Sequence, residues 1–235
     1  MLLVKVAAVI PAAGRGARMG LPVKKQFLQL EGIPVIGHTL KVIADSPVVH
    51  DIVLVASPGE EAYCRNAIVE RFGIRKIAAI VPGGSERQES VYNGLLALSA
   101  DTDIVLIHDG ARPLLRPEEL PAIVDAGARY GAATLAVPVK DTVKLSGEDE
   151  FVAGTLPRER LWLTQTPQAF RYQLIIEAHQ RAMQGKYTGT DDAGLVEILG
   201  QPVKIVAGSY ENLKITTPED LLVASAIIKA RRASG

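Results

Sequence analysis

Val4-Lys5-Val6-Ala7-Ala8-Val9-Ile10-Pro11, followed at once by Ala12-Ala13-Gly14-Arg15-Gly16-Ala17-Arg18-Met19-Gly20, is the stretch on which the fold turns. Its first half is apolar almost without interruption, the pattern of a short strand buried on both faces. Its second half is a glycine-rich loop. Similar apolar, β-branched runs recur at Ile52–Ala56, Lys76–Val81, Ile104–His108, Ala132–Val139 and Val203–Ala207. Segments with helical periodicity lie between them, at His38–Asp45, Glu60–Phe72, Glu86–Leu98, Pro117–Tyr130, Tyr172–Gln184 and Pro218–Arg231. Strands alternating with helices predict right-handed βαβ units: an α/β, mostly parallel, Rossmann-like sheet with helices on both faces.

One stretch breaks this rhythm. Lys140–Arg158 is polar, with short alternating segments at Thr142–Leu145 and Phe151–Leu156 around Ser146-Gly147. Two such segments joined by a turn read as a β-hairpin. It has little apolar surface of its own, so it either leans on a second subunit or is a solvated excursion. Without repeats, low-complexity tracts or linkers, the 235 residues are expected to form one domain with an arm.

Composition narrows the function classes. Lys plus Arg number 26 and Asp plus Glu number 26, so the formal net charge is zero. General nucleic-acid binding needs a basic surface to displace counterions, and this balance argues against it. A local basic pocket for a small anion remains compatible. One cysteine, Cys64, excludes a disulfide framework and reads as a small buried hydrophobe. No apolar run reaches the roughly 18–20 residues of a membrane span. The apolar start lacks a basic leader and a clear cleavage site, so it reads as a first strand. The expectation is a soluble, cytoplasmic protein with no membrane or nucleic-acid partner.

Ligands of open α/β sheets bind beyond the carboxyl ends of the strands, where the glycine loop lies. Its spacing is G-x-G-x-x-x-G, not the dinucleotide G-x-G-x-x-G, and no Gly-Lys-Ser/Thr follows to make a P-loop. Instead Arg15 and Arg18 lie within it and Lys24 and Lys25 just after it. Singly, such cations are usually solvated; clustered beyond a buried strand, they suit a triphosphate.

Other strand ends add to the inventory. Gly83-Gly84 precedes Ser85, Arg87 and Ser90 at a strand-to-helix junction, where unpaired N–H groups can take an anion or a polar base. The plainer reading is a turn with Ser85 as helix cap. His108-Asp109-Gly110-Ala111-Arg112-Pro113 puts a carboxylate at a buried strand tip, suited to Mg²⁺, and an arginine placed to grip a phosphate. His108 reads as structural. Thr190-Asp191-Asp192-Ala193 reads as a helix start capped by Thr190, with a metal site as the lesser alternative to Asp109. Thr217-Pro218 with Asp220 reads as another helix start, which leaves Lys214 as a candidate phosphate ligand. No His/Cys metal cluster, G-x-S-x-G elbow or catalytic Cys/His pair is present. Cations, glycine loops and one or two placed carboxylates are the equipment of phosphoryl or nucleotidyl transfer.

These motifs together resemble the 2-C-methyl-D-erythritol 4-phosphate cytidylyltransferases. The resemblance rests on PAAGRGARMG with KKQF, GGSERQESVYNGL, HDGARP, PVKDTVK, LPRERLWLTQTPQAF, TDDAGL and NLKITTPEDL, in order over nearly the whole chain. One position departs: Lys24 stands where the family often has proline, and Lys25, directly before Gln26, is the matching lysine. The resemblance implies a nucleotidyltransferase sheet that moves CMP from CTP to the sugar phosphate. It implies Arg18 and Lys25 as catalytic cations. Pro11, Ala12, Ala13, Gly14, Gly16, Gly83, Gly84, Ser90, Asp109 and Ala111 would bind CTP, with Asp109 also holding Mg²⁺. Arg112, Thr142, Arg158, Thr190 and Lys214 would bind the methylerythritol phosphate. Residues 140–158 resemble an intersubunit arm, which implies a homodimer with Thr142 and Arg158 serving the partner's site. A cytidylyltransferase for ribitol 5-phosphate or another polyol phosphate is the alternative.

Overall fold

The structure, a computed structural model, describes residues 4–14 and 23–234. In chain order the elements are β1 (Val6–Pro11), the small hairpin β2 (Gln29–Leu30) and β3 (Ile33–Pro34), α1 (Val35–Asp45), β4 (Asp51–Ala56), α2 (Glu61–Tyr63), β5 (Ile77–Pro82) and α3 (Arg87–Leu96). They continue as β6 (Ile104–Ile107), α4 (Glu119–Tyr130), β7 (Ala132–Pro138), β8 (Lys144–Ser146), β9 (Val152–Thr155), β10 (Trp162–Arg171), α5 (Tyr172–Gln184), α6 (Asp192–Ile198), β11 (Lys204–Ala207) and α7 (Pro218–Ser234).

Seven strands form the main sheet in the order β11-β7-β10-β6-β1-β4-β5. β1 runs parallel to β4 and β6, β4 to β5, and β7 to β11. β10 alone is antiparallel, between β6 and β7. Period-two alternation splits each central strand between two cores. Val6, Ala8 and Ile10 pack with α1 and α4; Ala7 and Val9 pack with α3, α5 and α6. Gly94 lets α3 lie close on β1, since a Cβ there would come within 2.5 Å of Val9 Cγ1. A third, smaller core joins α7 to the β2–β3 hairpin through Leu30, Ile215 and Ala224.

The layered α/β architecture matches the sequence reading, and several details differ. Only central strands are buried on both faces; Lys76–Val81 and Val203–Ala207 became the edge strands β5, which is half-exposed, and β11, three of whose four residues are exposed. β10 is an additional strand. Its Pro167 follows a cis Thr166–Pro167 bond and falls at the irregularity between Thr164 and Gln168, where the ladder with β7 breaks. The Glu60–Phe72 helix starts as α2 and widens into a π-helical segment at Cys64–Glu70. Cys64 is buried, and burial raises its thiol pKa to about 11, with Glu60 and Glu61 adding to the shift. α1 starts three residues before the predicted helix, because Pro34 supplies the extended residue that precedes it. The arm is a separate two-stranded sheet, β8–β9, and its turn spans residues 147–151 rather than Ser146-Gly147. No helix among the described residues is long and apolar enough to cross a membrane.

Candidate active site

The chain leaves β1 toward β4 and β5, then returns to β6 on the other side of β1 and moves away toward β7. The order reverses between β1 and β6, and the crevice beyond such a reversal is where open sheets bind ligands. A cavity of about 680 Å³ opens there. Pro11, Ala12, Ala13 and Gly14 line it from β1, Gly83, Gly84 and Ser90 from the β5–α3 junction, and Asp109, Gly110 and Ala111 from the tip of β6. Lys24, Lys25 and Lys214 add cations to its wall. The expected residues Arg15, Gly16 and Arg18 lie outside the described residues.

Backbone bonds knit the three loops together. Ala12 N donates to Val55 O at 2.8 Å, Gly83 N to Ala56 O at 2.7 Å and Gly110 N to Pro11 O at 3.1 Å. Gly83 must be glycine for this approach: a Cβ there would overlap Ala13 Cβ and lie 2.8 Å from Ser90 Oγ. Buried Ser90 accepts from Gly84 N at 3.0 Å and donates to Glu86 O at 2.9 Å. The Ser85 cap reading does not hold. Glu86 is the residue preceding α3, and Glu89 reaches back to accept from Ser85 N and Oγ, each at 2.7 Å.

Asp109 is the electrostatic centre. Ile215 N bonds Ala111 O at 2.8 Å, which brings Lys214 Nζ to 2.6 Å from Asp109 Oδ2. Arg87 Nε donates to Asp109 Oδ1 at 3.2 Å, and its Nη1 donates to Asp192 Oδ2 at 2.8 Å. Burial alone would raise the Asp109 pKa, but Arg87 and Lys214 outweigh it and hold the carboxyl well below the usual carboxylate range. Asp192 is held down in the same way by Arg87 and His179 against its own burial. His179 Nε2 lies 3.2 Å from Asp192 Oδ1 but outside hydrogen-bond geometry.

His108 is structural, as read from the sequence. Arg112 O can only accept, so neutral His108 carries its proton on Nε2 and donates to it at 3.1 Å. That leaves Nδ1 to accept from the Thr166 hydroxyl at 3.0 Å, whose oxygen in turn accepts from Asp109 N, also at 3.0 Å. Burial pushes the His108 pKa down to about 4, so the ring is neutral near pH 7.

The cavity gathers Lys25 and every described CTP-site candidate, but of the sugar-phosphate set it holds only Lys214. Arg112 sits behind the wall, half-buried, with Nη1 donating to Asn212 O at 2.7 Å. Thr190 borders a small adjoining cavity with Arg87, Asp191 and Asp192. Asp191, not Thr190, caps α6, accepting from Gly194 N at 2.9 Å. Thr142 is exposed on the arm, and Arg158 is exposed and donates to Lys140 O at 3.1 Å. Four further residues organise the site: Gln26, Ser57, Arg87 and Thr166. Thr216 N and Thr217 N both donate to Asp220 Oδ2, at 2.7 and 2.8 Å, the cap expected at the start of α7.

Among the described residues, no group of three or more His, Cys, Asp or Glu could hold a metal. Asp109 is an ionised carboxylate in the cavity wall, which fits Mg²⁺, an ion that needs one or two carboxylates plus substrate phosphates and water. Asp192 does not fit, since it does not line this cavity and its side chain is 1% exposed.

The family model for 2-C-methyl-D-erythritol 4-phosphate cytidylyltransferase matches residues 6–230. The chain belongs to this family. A cytidylyltransferase of that name from Pelotomaculum thermopropionicum is 67% identical over 228 residues, covering 97% of this chain and 96% of that protein. One from Desulforamulus reducens is 54% identical, covering 96% and 97%. Among solved structures, the 4-diphosphocytidyl-2C-methyl-D-erythritol synthase of Anaerococcus prevotii superposes with a TM-score of 0.84 at 31% identity, covering 97% of this chain and 99% of that one. The cytidylyltransferase of Thermus thermophilus superposes at 0.79 with 35% identity, covering 96% and 99%.

Proposed function

We propose that the protein transfers the CMP moiety of CTP to 2-C-methyl-D-erythritol 4-phosphate, giving 4-diphosphocytidyl-2-C-methyl-D-erythritol and pyrophosphate in isoprenoid precursor synthesis. The observation that carries this is the family match over residues 6–230 of a chain whose cation-lined cavity lies at the β1/β6 strand tips. A phosphate oxygen of the sugar phosphate attacks the α-phosphorus of CTP in line. The new P–O bond forms as the bond to the bridging oxygen breaks, and pyrophosphate leaves with that bond's electrons. The attacking group is already an anion, so no strong general base is needed, in keeping with a neutral, structurally committed His108. The barrier is repulsion between anions plus charge growing at the α-phosphate.

Lys25 and Arg18 are assigned to that charge, and Ala12 to Gly16 to the triphosphate. Gly83, Gly84 and Ser90 are assigned to the cytidine. Asp109 is assigned to Mg²⁺, which when bound neutralises phosphate charge. Lys214 faces the cavity and is assigned to the incoming phosphate, as are Arg112 and Thr190. The arm, about residues 140–158, is assigned to a homodimer interface that brings Thr142 and Arg158 to the partner's cavity. Support comes from their absence from the lining of their own cavity and from Phe151 and Val152, which are 78% and 64% exposed.

The test is pyrophosphate release with Mg²⁺, crossing CTP, UTP, ATP and GTP with methylerythritol 4-phosphate, ribitol 5-phosphate and glucose 1-phosphate. Release with CTP and methylerythritol 4-phosphate is expected. Preference for ribitol 5-phosphate would move the assignment to the other polyol phosphate, and no release with any pair would overturn enzymatic turnover.

A further inference from the structure

The short turn that carries Lys25 also grips the glycine loop from behind. Three consecutive loop carbonyls are engaged by side chains. Gln26 Nε2 donates to Ala12 O at 2.7 Å and to Gly14 O at 3.3 Å, and Ser57 Oγ donates to Ala13 O at 3.2 Å. The Ser57 hydroxyl in turn accepts from Lys24 Nζ at 2.8 Å, and the Lys24 charge is paired with Glu60 Oε1, also at 2.8 Å. Gln26 is 2% exposed, an expensive place for an amide unless its donors are used.

In a trans peptide the carbonyl and the following N–H point to opposite sides. Holding the carbonyls of Ala12 and Ala13 therefore fixes the directions of the N–H groups of Ala13 and Gly14. We propose that Lys24 and Gln26 are positioning residues that, from either side of Lys25, set the peptide planes of Ala12–Gly14 and the spacing of this loop from Lys25. This rests on the reading that the loop receives the CTP triphosphate. It also separates the two adjacent lysines: Lys24 anchors the loop through Ser57 and Glu60, whereas Lys25 acts on the nucleotide. The backbone at Lys24 sits at φ −62° and ψ 138°, a φ that a proline ring would fix without any side-chain anchor.

The experiment combines steady-state kinetics with amide hydrogen exchange on Gln26→Ala, Lys24→Ala and Lys24→Pro. Gln26→Ala should raise KM for CTP about tenfold or more, the weight of one charge-assisted hydrogen bond, and leave KM for the sugar phosphate unchanged. Exchange at the Ala13 and Gly14 amides should quicken. Lys24→Ala should do the same to a smaller degree, and Lys24→Pro should recover most of the loss. An unchanged CTP KM with unchanged exchange would overturn the proposal. So would a parallel rise of both KM values with a fall in thermal midpoint, which would mark a fold-wide effect. A wild type without turnover would count against the proposed function alone. Exchange would still decide this proposal, faster at Ala13 and Gly14 supporting it and unchanged overturning it.

Discussion

At the tip of β6, Asp109 is 7% exposed and held between Arg87 and Lys214; at the tip of the arm, Phe151 is 78% exposed and touches no core. The first region is completed by its own chain. Its loops are tied by backbone bonds from Ala12, Gly83 and Gly110, and its carboxylates by Arg87. The second has a three-residue and a four-residue strand and side chains that mostly face solvent. Two isolated strands are marginal in water, so such an arm needs a surface to lie on. The division follows the proposed substrates. Under that proposal the nucleotide half of the site is assembled within one chain, and the sugar-phosphate half has two of its five candidates, Thr142 and Arg158, on the arm.

Substitutions can sharpen that contrast. The largest effect belongs to the intrachain half: Lys25→Ala, and equally Arg18→Ala, should lower kcat by about 10²–10³ with the fold retained, read by turnover alongside circular dichroism. Near-normal turnover in Lys25→Ala would remove that assignment. Next, Arg87→Met should destabilise the fold by about 2–3 kcal/mol in denaturant unfolding. It removes the cation that Asp109 and Asp192 share, and the loss is discounted because Asp109 keeps Lys214 and the Arg87 side chain is 32% exposed. The arm should behave differently. Arg158→Ala should raise KM for the sugar phosphate about tenfold, leave KM for CTP alone and cost no stability.

Acid should act on the β6 tip and spare the arm. The folded pKa of His108 is depressed to about 4 by burial, so between that value and its ordinary 6.5 the unfolded state binds the extra proton. Stability therefore falls as pH drops through this window. The depressed Asp109 carboxyl adds a loss in the same direction, below the usual carboxylate range. The thermal midpoint should drop from about pH 7 to about pH 5, and His108→Gln should flatten that drop.

The sequence announced the central strands and the glycine loop because apolar runs and glycine spacing are local signals. Edge strands carry the same signal: nothing in Lys76–Val81 says that β5 has a neighbour on one side only. β10 was hidden because Thr164, Gln165, Pro167 and Gln168 dilute its apolar pattern and a proline argues against an inner strand. At the site, the line-up of β1, β5 and β6 tips followed from topology. Gln26 and Arg87 did not, because their roles depend on partners such as Ala12, Asp109 and Asp192 that only folding brings near.

If one working site is built from two chains, coexpression of Lys25→Ala with Arg158→Ala will show it. Each variant should be impaired alone. In a randomly mixed dimer with a two-fold axis, one site carries both substitutions and the other carries none, so the mixture should recover about a quarter of wild-type pyrophosphate release at low sugar phosphate. Activity no higher than the average of the two variants assayed separately would show that Arg158 serves its own chain, and would rule out a site shared between two chains.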